Sequence, residues 1–136
     1  MSPEASELKT VVPVQGLSAP RGVWSVAIAS RPGRLVFVSG LLSKNERGEI
    51  VGIGDVGAQT EQVLKNLQTA LAGIGGTLAD VVRVDVYCRD ITKFDEIHAV
   101  RRRYFPSEPP ASTMVEVSRL TDERCLIEIT AIAVVP

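Results

Sequence analysis

Residues 125–134 read Cys-Leu-Ile-Glu-Ile-Thr-Ala-Ile-Ala-Val, and this run decides the fold. It is β-branched and long enough for a strand. Ile127, Ile129 and Ala131 lie out of phase with Leu126, Thr130 and Ile132, so apolar side chains project from both sides of it. Helices can cover one face of such a sheet. The other face needs a second cover, and self-association is the simplest supply.

Upstream, Thr113 to Val117 reads as the preceding strand, joined to the last by a polar turn around Thr121 to Arg124. Pro106, Pro109 and Pro110 end a helix and force an extended segment before it. That helix opens at Thr92-x-x-Asp95, which resembles a capping box, and Phe94, Ile97, His98 and Arg101 share one side of it. In Val82 to Cys88, Val82, Val84, Val86 and Cys88 alternate with Arg83, Asp85 and Tyr87, the pattern of a half-buried strand.

A longer helix is expected after Asp55, a plausible N-cap. Val63, Leu64, Leu67, Leu71 and Ile74 make its apolar stripe, and Gly75-Gly76 stops it. Nearer the start, Val23 to Ile28 and Leu35 to Ser39 read as an antiparallel hairpin across the turn Arg31 to Arg34. Glu49 to Ile53 reads as a short edge strand. The first ten residues are polar, and residues 1–18 are expected to be a loose leading segment. The order is two or three strands, helix, strand, helix, two strands. It predicts an α/β (α+β) chain with a mixed sheet of about six strands and two helices packed on one face. With no repeat or linker in 136 residues, one domain spanning 1–136 is expected.

The net charge of −1 gives no electrostatic footprint for nucleic acid or an anionic membrane surface. No apolar run approaches the roughly 20 residues needed to span a bilayer, and Met1 to Thr10 has no apolar region of the kind a signal peptide carries. Cys88 and Cys125 lie far apart and there is a single histidine, so neither a zinc site nor a disulfide is expected, and the expected location is the cytoplasm.

Several motifs, in order, resemble the RidA/YjgF family. They are Phe37-Val38-Ser39-Gly40, Gln59 with the helix through Asn66, Val84-Asp85-Val86-Tyr87-Cys88-Arg89-Asp90, Pro110-Ala111-Ser112-Thr113-Met114-Val115-Glu116-Val117, and Ile127 to Val134. The resemblance runs from about Ala19 to Val134. It implies a chorismate-mutase-like fold and a homotrimer with a central barrel. Three small-molecule pockets would lie between subunits, with no metal or organic cofactor. The implied chemistry is hydrolysis of reactive imines or enamines, such as 2-aminoacrylate and its 2-imino acid tautomer, with release of ammonia.

The chain departs from that pattern at Ser112. Imine-deaminating members carry arginine there, holding the substrate carboxylate as a bidentate pair. A serine hydroxyl brings neither charge nor fork. The family's pocket tyrosine aligns with Trp24, its helix asparagine with His98, and the glutamine after Ser-Gly with Leu41. The implied pocket is reshaped for a different ligand, and the 2-aminomuconate deaminase branch offers one model. A carboxylate clamp from Arg21 or Arg89 is an alternative source of the missing charge.

The resemblance nominates Glu128 and His98 as catalytic, and Trp24, Ser112, Gly40, Cys88 and Arg89 as substrate-binding. Imine hydrolysis needs water delivered to a C=N carbon and a proton for nitrogen. Glu128, in an otherwise apolar strand, suits either task, and a structural ion pair or a subunit contact is the competing reading. His98 titrates near neutrality when unperturbed, but a lone histidine beside Phe94 and Ile97 also reads as packing. Cys88 reads either as a thiol near the pocket or as a small buried hydrophobe. Trp24 reads as a stacking wall or an interface anchor. Arg101-Arg102-Arg103 reads as a solvated helix face. Beside the deaminase stand a non-catalytic small-molecule-binding or regulatory trimer and, more distantly, the ribonuclease or translation inhibitor of an older family name.

Overall fold

The computed structural model describes residues 5–136. Its strands are β1 (Lys9–Val11), β2 (Ile28–Ser30), β3 (Arg34–Leu41), β4 (Val81–Cys88), β5 (Ala111–Glu116) and β6 (Ile127–Val135), and its helices are α1 (Val56–Ala72) and α2 (Phe94–Tyr104). The expected mixed α+β class with two helices is present, but the six strands divide into two sheets. One is a four-stranded sheet in the order β3-β6-β4-β5, and the other a two-stranded β1-β2 ribbon. β4 runs parallel to β5 and antiparallel to β6.

The expected hairpin between Val23–Ile28 and Leu35–Ser39 is not formed. Ile28–Ser30 pairs instead with Lys9–Val11, so the leading segment contributes a strand where none was expected. The Lys9 ammonium anchors it, buried and donating to the Val81 carbonyl at 3.0 Å. Burial pushes the Lys9 pKa down. Ser25 instead bridges Ala111 at the start of β5. Ser25 N–H donates to the Pro110 carbonyl at 3.1 Å, and Ser25 Oγ donates to the Pro109 carbonyl at 2.6 Å. Glu49–Ile53 forms only an isolated bridge, Ile50 to Lys44.

Helix α1 starts as the sequence indicates, with Asp55 Oδ1 accepting from the Ala58 N–H at 3.0 Å. Its Val63, Leu64, Leu67 and Leu71 are buried on the sheet, while Ile74 lies beyond the helix end and is half-buried. Gly75, at φ +77°, makes the turn out of the helix that only glycine enters readily. The capping box at Thr92 is absent. Asp90 accepts from the Thr92 N–H and caps a short 3₁₀ turn, Ile91–Lys93, that leads into α2. α2 therefore begins without a side-chain cap, one residue later than the Thr-Asp spacing suggested.

The helices cover one face of the four-stranded sheet. Val84, Val86 and Cys88 of β4 and Ile127, Ile129, Ala131 and Ala133 of β6 form the core with the α1 stripe. On the opposite face Leu35 and Phe37 of β3 are 59% and 70% exposed, and Ile132, paired with Phe37, is half-buried. The two-faced apolar pattern of β6 is thus real, and its outer half is uncovered within one chain. No helix among the described residues is long and apolar enough to cross a membrane.

Candidate functional site

A cleft of about 200 Å³ lies where α2 packs beside β5 at the sheet edge, lined by Trp24, Phe94, His98, Arg101, Ser112 and Met114. Each lining residue arrives by a local necessity. Ser112 and Met114 sit two apart on β5, hence on one face, and pair with Val84 and Val86, which point into the core. That face looks towards the helices. Phe94, His98 and Arg101 lie at helical spacing on α2 and look back at it. Trp24 is brought over the cleft by the Ser25 hydrogen bonds to the chain just before β5. Gly22 allows the approach, because a Cβ there would run into the Trp24 ring and lie 2.6 Å from His98 Nε2.

His98 is 4% exposed, and neither ring nitrogen has a hydrogen-bond partner among the described residues. Its ring centroid is 3.9 Å from that of Phe94 and 6.1 Å from that of Trp24. Burial, aided by the positive charges of Arg101 and Arg102, pushes its pKa down to about 4. The imidazole is therefore neutral at physiological pH, with one nitrogen to donate and one to accept.

Arg101 was missed as a site residue. Arg102 and Arg103 are exposed as expected of a solvated face, but Arg101 is 1% exposed. Its Nη2 donates to Ser112 Oγ at 2.9 Å and to the Val23 carbonyl at 3.0 Å, while its Nε is buried without a partner. The signal lay in the spacing: Arg101 follows Ile97 and His98 at i+4 and i+3 on the inward side of the helix. The guanidinium absent from position 112 stands beside that position, supplied by α2 rather than β5. Neither Arg21, which is exposed, nor Arg89 is in the cleft.

Glu128 and Gly40 form a separate arrangement. Glu128 pairs with Tyr87 on β4, and Ser112 pairs with Val84. Positions 84 and 87 are an odd number apart on a continuous strand, so Glu128 and Ser112 project from opposite faces of the sheet. Gly40, where β3 breaks register with β6, makes room for the Glu128 side chain. A Cβ there would lie 2.8 Å from the Glu128 Cδ. Cys88 is wholly buried in the core with its thiol pKa raised, chiefly by burial, and Arg89 lines a different cleft of about 140 Å³ with Val56, Lys93 and Leu126. The structure thus brings Trp24, His98 and Ser112 together, and leaves Glu128 with Gly40, Cys88 and Arg89 each elsewhere.

Gln59 ties the last strand to α1. It is fully buried, its Nε2 donates to the Arg124 carbonyl at 2.9 Å, and its Oε1 accepts from the Leu126 N–H at 2.7 Å. These bonds fix the chain at Leu126, immediately before β6 and two residues before Glu128.

Comparison with known proteins identifies the family. The family model described as Endoribonuclease L-PSP matches residues 16–135. A RutC family protein of Pyrococcus horikoshii is 39% identical over 93% of this chain and 98% of its own length. The 3-aminoacrylate deaminase RutC of Acinetobacter baylyi is 37% identical over 77% of this chain and 82% of its own. Among solved structures, the Rid family protein YyfB of Yersinia pestis, described as of unknown function, superposes with a TM-score of 0.86 at 32% identity, covering 93% of this chain and 98% of that one. With a family match over most of its length and relatives of this similarity, the chain belongs to the Endoribonuclease L-PSP family, the family of YjgF and RidA.

Proposed function

We propose that this protein hydrolyses a small carboxylated enamine or imine and releases ammonia, at a site completed between copies of the chain. The observation that carries the reading is the placement of Glu128 and the His98 cleft on opposite sheet faces. An acid–base group and a binding cleft so divided within one subunit meet when the uncovered outer face of one copy, bearing Phe37 and Glu128, closes against the cleft of the next. A homotrimer accomplishes this with three equivalent sites. The name of the Acinetobacter relative, a 3-aminoacrylate deaminase, supports the reaction class and suggests a first substrate.

The enamine gains a proton at carbon and gives one up from nitrogen, becoming its imine tautomer. Water then adds to the C=N carbon, giving a carbinolamine. Collapse breaks the C–N bond, ammonia leaves, and a carbonyl remains. One water is consumed for each ammonia released. Glu128 accepts the proton from the attacking water and returns it to the departing nitrogen. Trp24 stacks on the planar substrate, and neutral His98 orients it by donating from one nitrogen and accepting at the other.

The test is ammonia release from freshly generated 3-aminoacrylate, 2-aminoacrylate and 2-aminomuconate, comparing the wild-type protein with Glu128→Gln. Turnover of at least one substrate, lost in the variant, supports the reading. Ligand binding without turnover of any of them would favour a non-catalytic binding protein.

A further inference from the structure

The Arg101 guanidinium is a buried cation with no carboxylate beside it. No acidic side chain among the described residues forms an ion pair with it, and burial alone lowers its pKa, to about 10, with no acidic neighbour offsetting the shift. Both of its hydrogen bonds go from Nη2 to neutral oxygens, leaving Nε and Nη1 uncommitted among the described residues. A buried charge without a counter-ion is expensive, and native structures rarely keep one without a use. His98, whose two ring nitrogens are both without partners among the described residues, lines the same cleft, so a guanidinium without a counter-ion and an unpartnered imidazole border one small space.

We propose that Arg101 is the anion anchor of the cleft. It takes the carboxylate of a small, planar, unsaturated acid through the hydrogens of Nη1, the terminal nitrogen that no protein group among the described residues engages. Ser112 Oγ and the Val23 carbonyl hold the guanidinium in place from its other side. His98 then meets the polar end of the same ligand, and Trp24 meets its flat face. The cation is presented by a helix, so the ligand is approached from α2 and not along β5. Neutral molecules of the same shape are excluded because they leave the guanidinium uncompensated. This deepens the deaminase reading by assigning its substrate carboxylate, although the anion site itself stands on the geometry of the cleft.

The probe pair is trans-crotonate and crotonamide, which share a planar conjugated skeleton and differ in charge. Titration of the full-length wild-type protein, followed by Trp24 fluorescence and by the Arg101 Nε–H resonance of arginine-labelled protein, should show crotonate binding at least about tenfold tighter than crotonamide. The Arg101 resonance should move with crotonate only. Arg101→Met should abolish the preference while keeping a cooperative melt. If that variant does not fold, the wild-type resonance decides alone. Equal binding of the two probes, crotonate binding that leaves the Arg101 signal unmoved, or a folded Arg101→Met that still prefers crotonate would each overturn the assignment. Parallel ammonia assays separate this from the deaminase reading. Arg101-dependent crotonate binding without turnover of any enamine keeps the anchor and removes the enzyme, whereas turnover unaffected by Arg101→Met keeps the enzyme and removes the anchor.

Discussion

Arg101 Nη2 lies 2.9 Å from Ser112 Oγ, so the helix places a guanidinium at the one strand position where the family motif would have supplied it. The consequence is sharp for the substitution that sequence comparison invites. Ser112→Arg sets a second buried guanidinium against the first, and like charges in a desolvated pocket repel strongly. The variant should lose roughly 3 kcal/mol of stability to denaturant and gain no turnover. The double variant Arg101→Met/Ser112→Arg should recover most of that loss. A stable, more active single variant would contradict this account of the cleft.

Ser112→Ala removes only one acceptor of Arg101 and should cost about 1–2 kcal/mol. Its larger effect should fall on ligand affinity, because the guanidinium is then held by the Val23 carbonyl alone. Denaturant melts and crotonate titration on the same preparation separate the two effects.

His98 gives the protein a pH dependence of definite sign. Its folded pKa of about 4 lies below the ordinary value of 6.5, so between those values the unfolded chain binds the additional proton. The stability contributed by keeping His98 neutral is full above about pH 6.5 and is lost as the pH falls towards 4. Melting temperatures at pH 7.5 and 5.0 should therefore differ by more in the wild type than in His98→Asn. An equal drop in both would show that other groups govern acid unfolding.

Gln59 is a structural prediction with a functional edge. Gln59→Leu leaves the Arg124 carbonyl and the Leu126 N–H without their partner at the start of β6, and should cost about 2–3 kcal/mol. Hydrogen exchange at Leu126 should accelerate well beyond that at Ile132, on the same strand but far from the substitution. Uniform acceleration along β6 would instead indicate global destabilisation.

Much of the fold was legible because hydrophobic period reports burial directly. The α1 stripe from Val63 to Leu71, the alternation in β4 and the two-faced character of β6 all follow from side chains meeting one neighbouring layer. The failures have a common origin in pairing between distant segments. Nothing local in Lys9–Val11 announces that it will receive Ile28–Ser30, and the hairpin expected for Val23–Ile28 lost to that longer-range partner. Thr92 was passed over because Asp90, two residues earlier, captured its N–H. Within the site, Trp24, His98 and Ser112 could be nominated together from the family motifs. Arg101 was hidden by its neighbours, since a run of three arginines looks solvated until helical phase separates the first from the other two. That Glu128 and Ser112 face opposite ways required the register of β4, which no single segment contains.

The division of the site gives the most direct test. Glu128→Gln alone should lower ammonia release by about 100-fold or more, and Arg101→Met should do likewise by losing the substrate. If each site takes its cleft from one subunit and its carboxylate from the next, the two inactive proteins hold complementary halves. Unfolded, mixed in equal amounts and refolded together, they should regain roughly a quarter of the wild-type rate on 3-aminoacrylate through random assembly of closed trimers. A mixture as silent as its parents, beside an active wild-type control, would contradict a site built between copies of the chain.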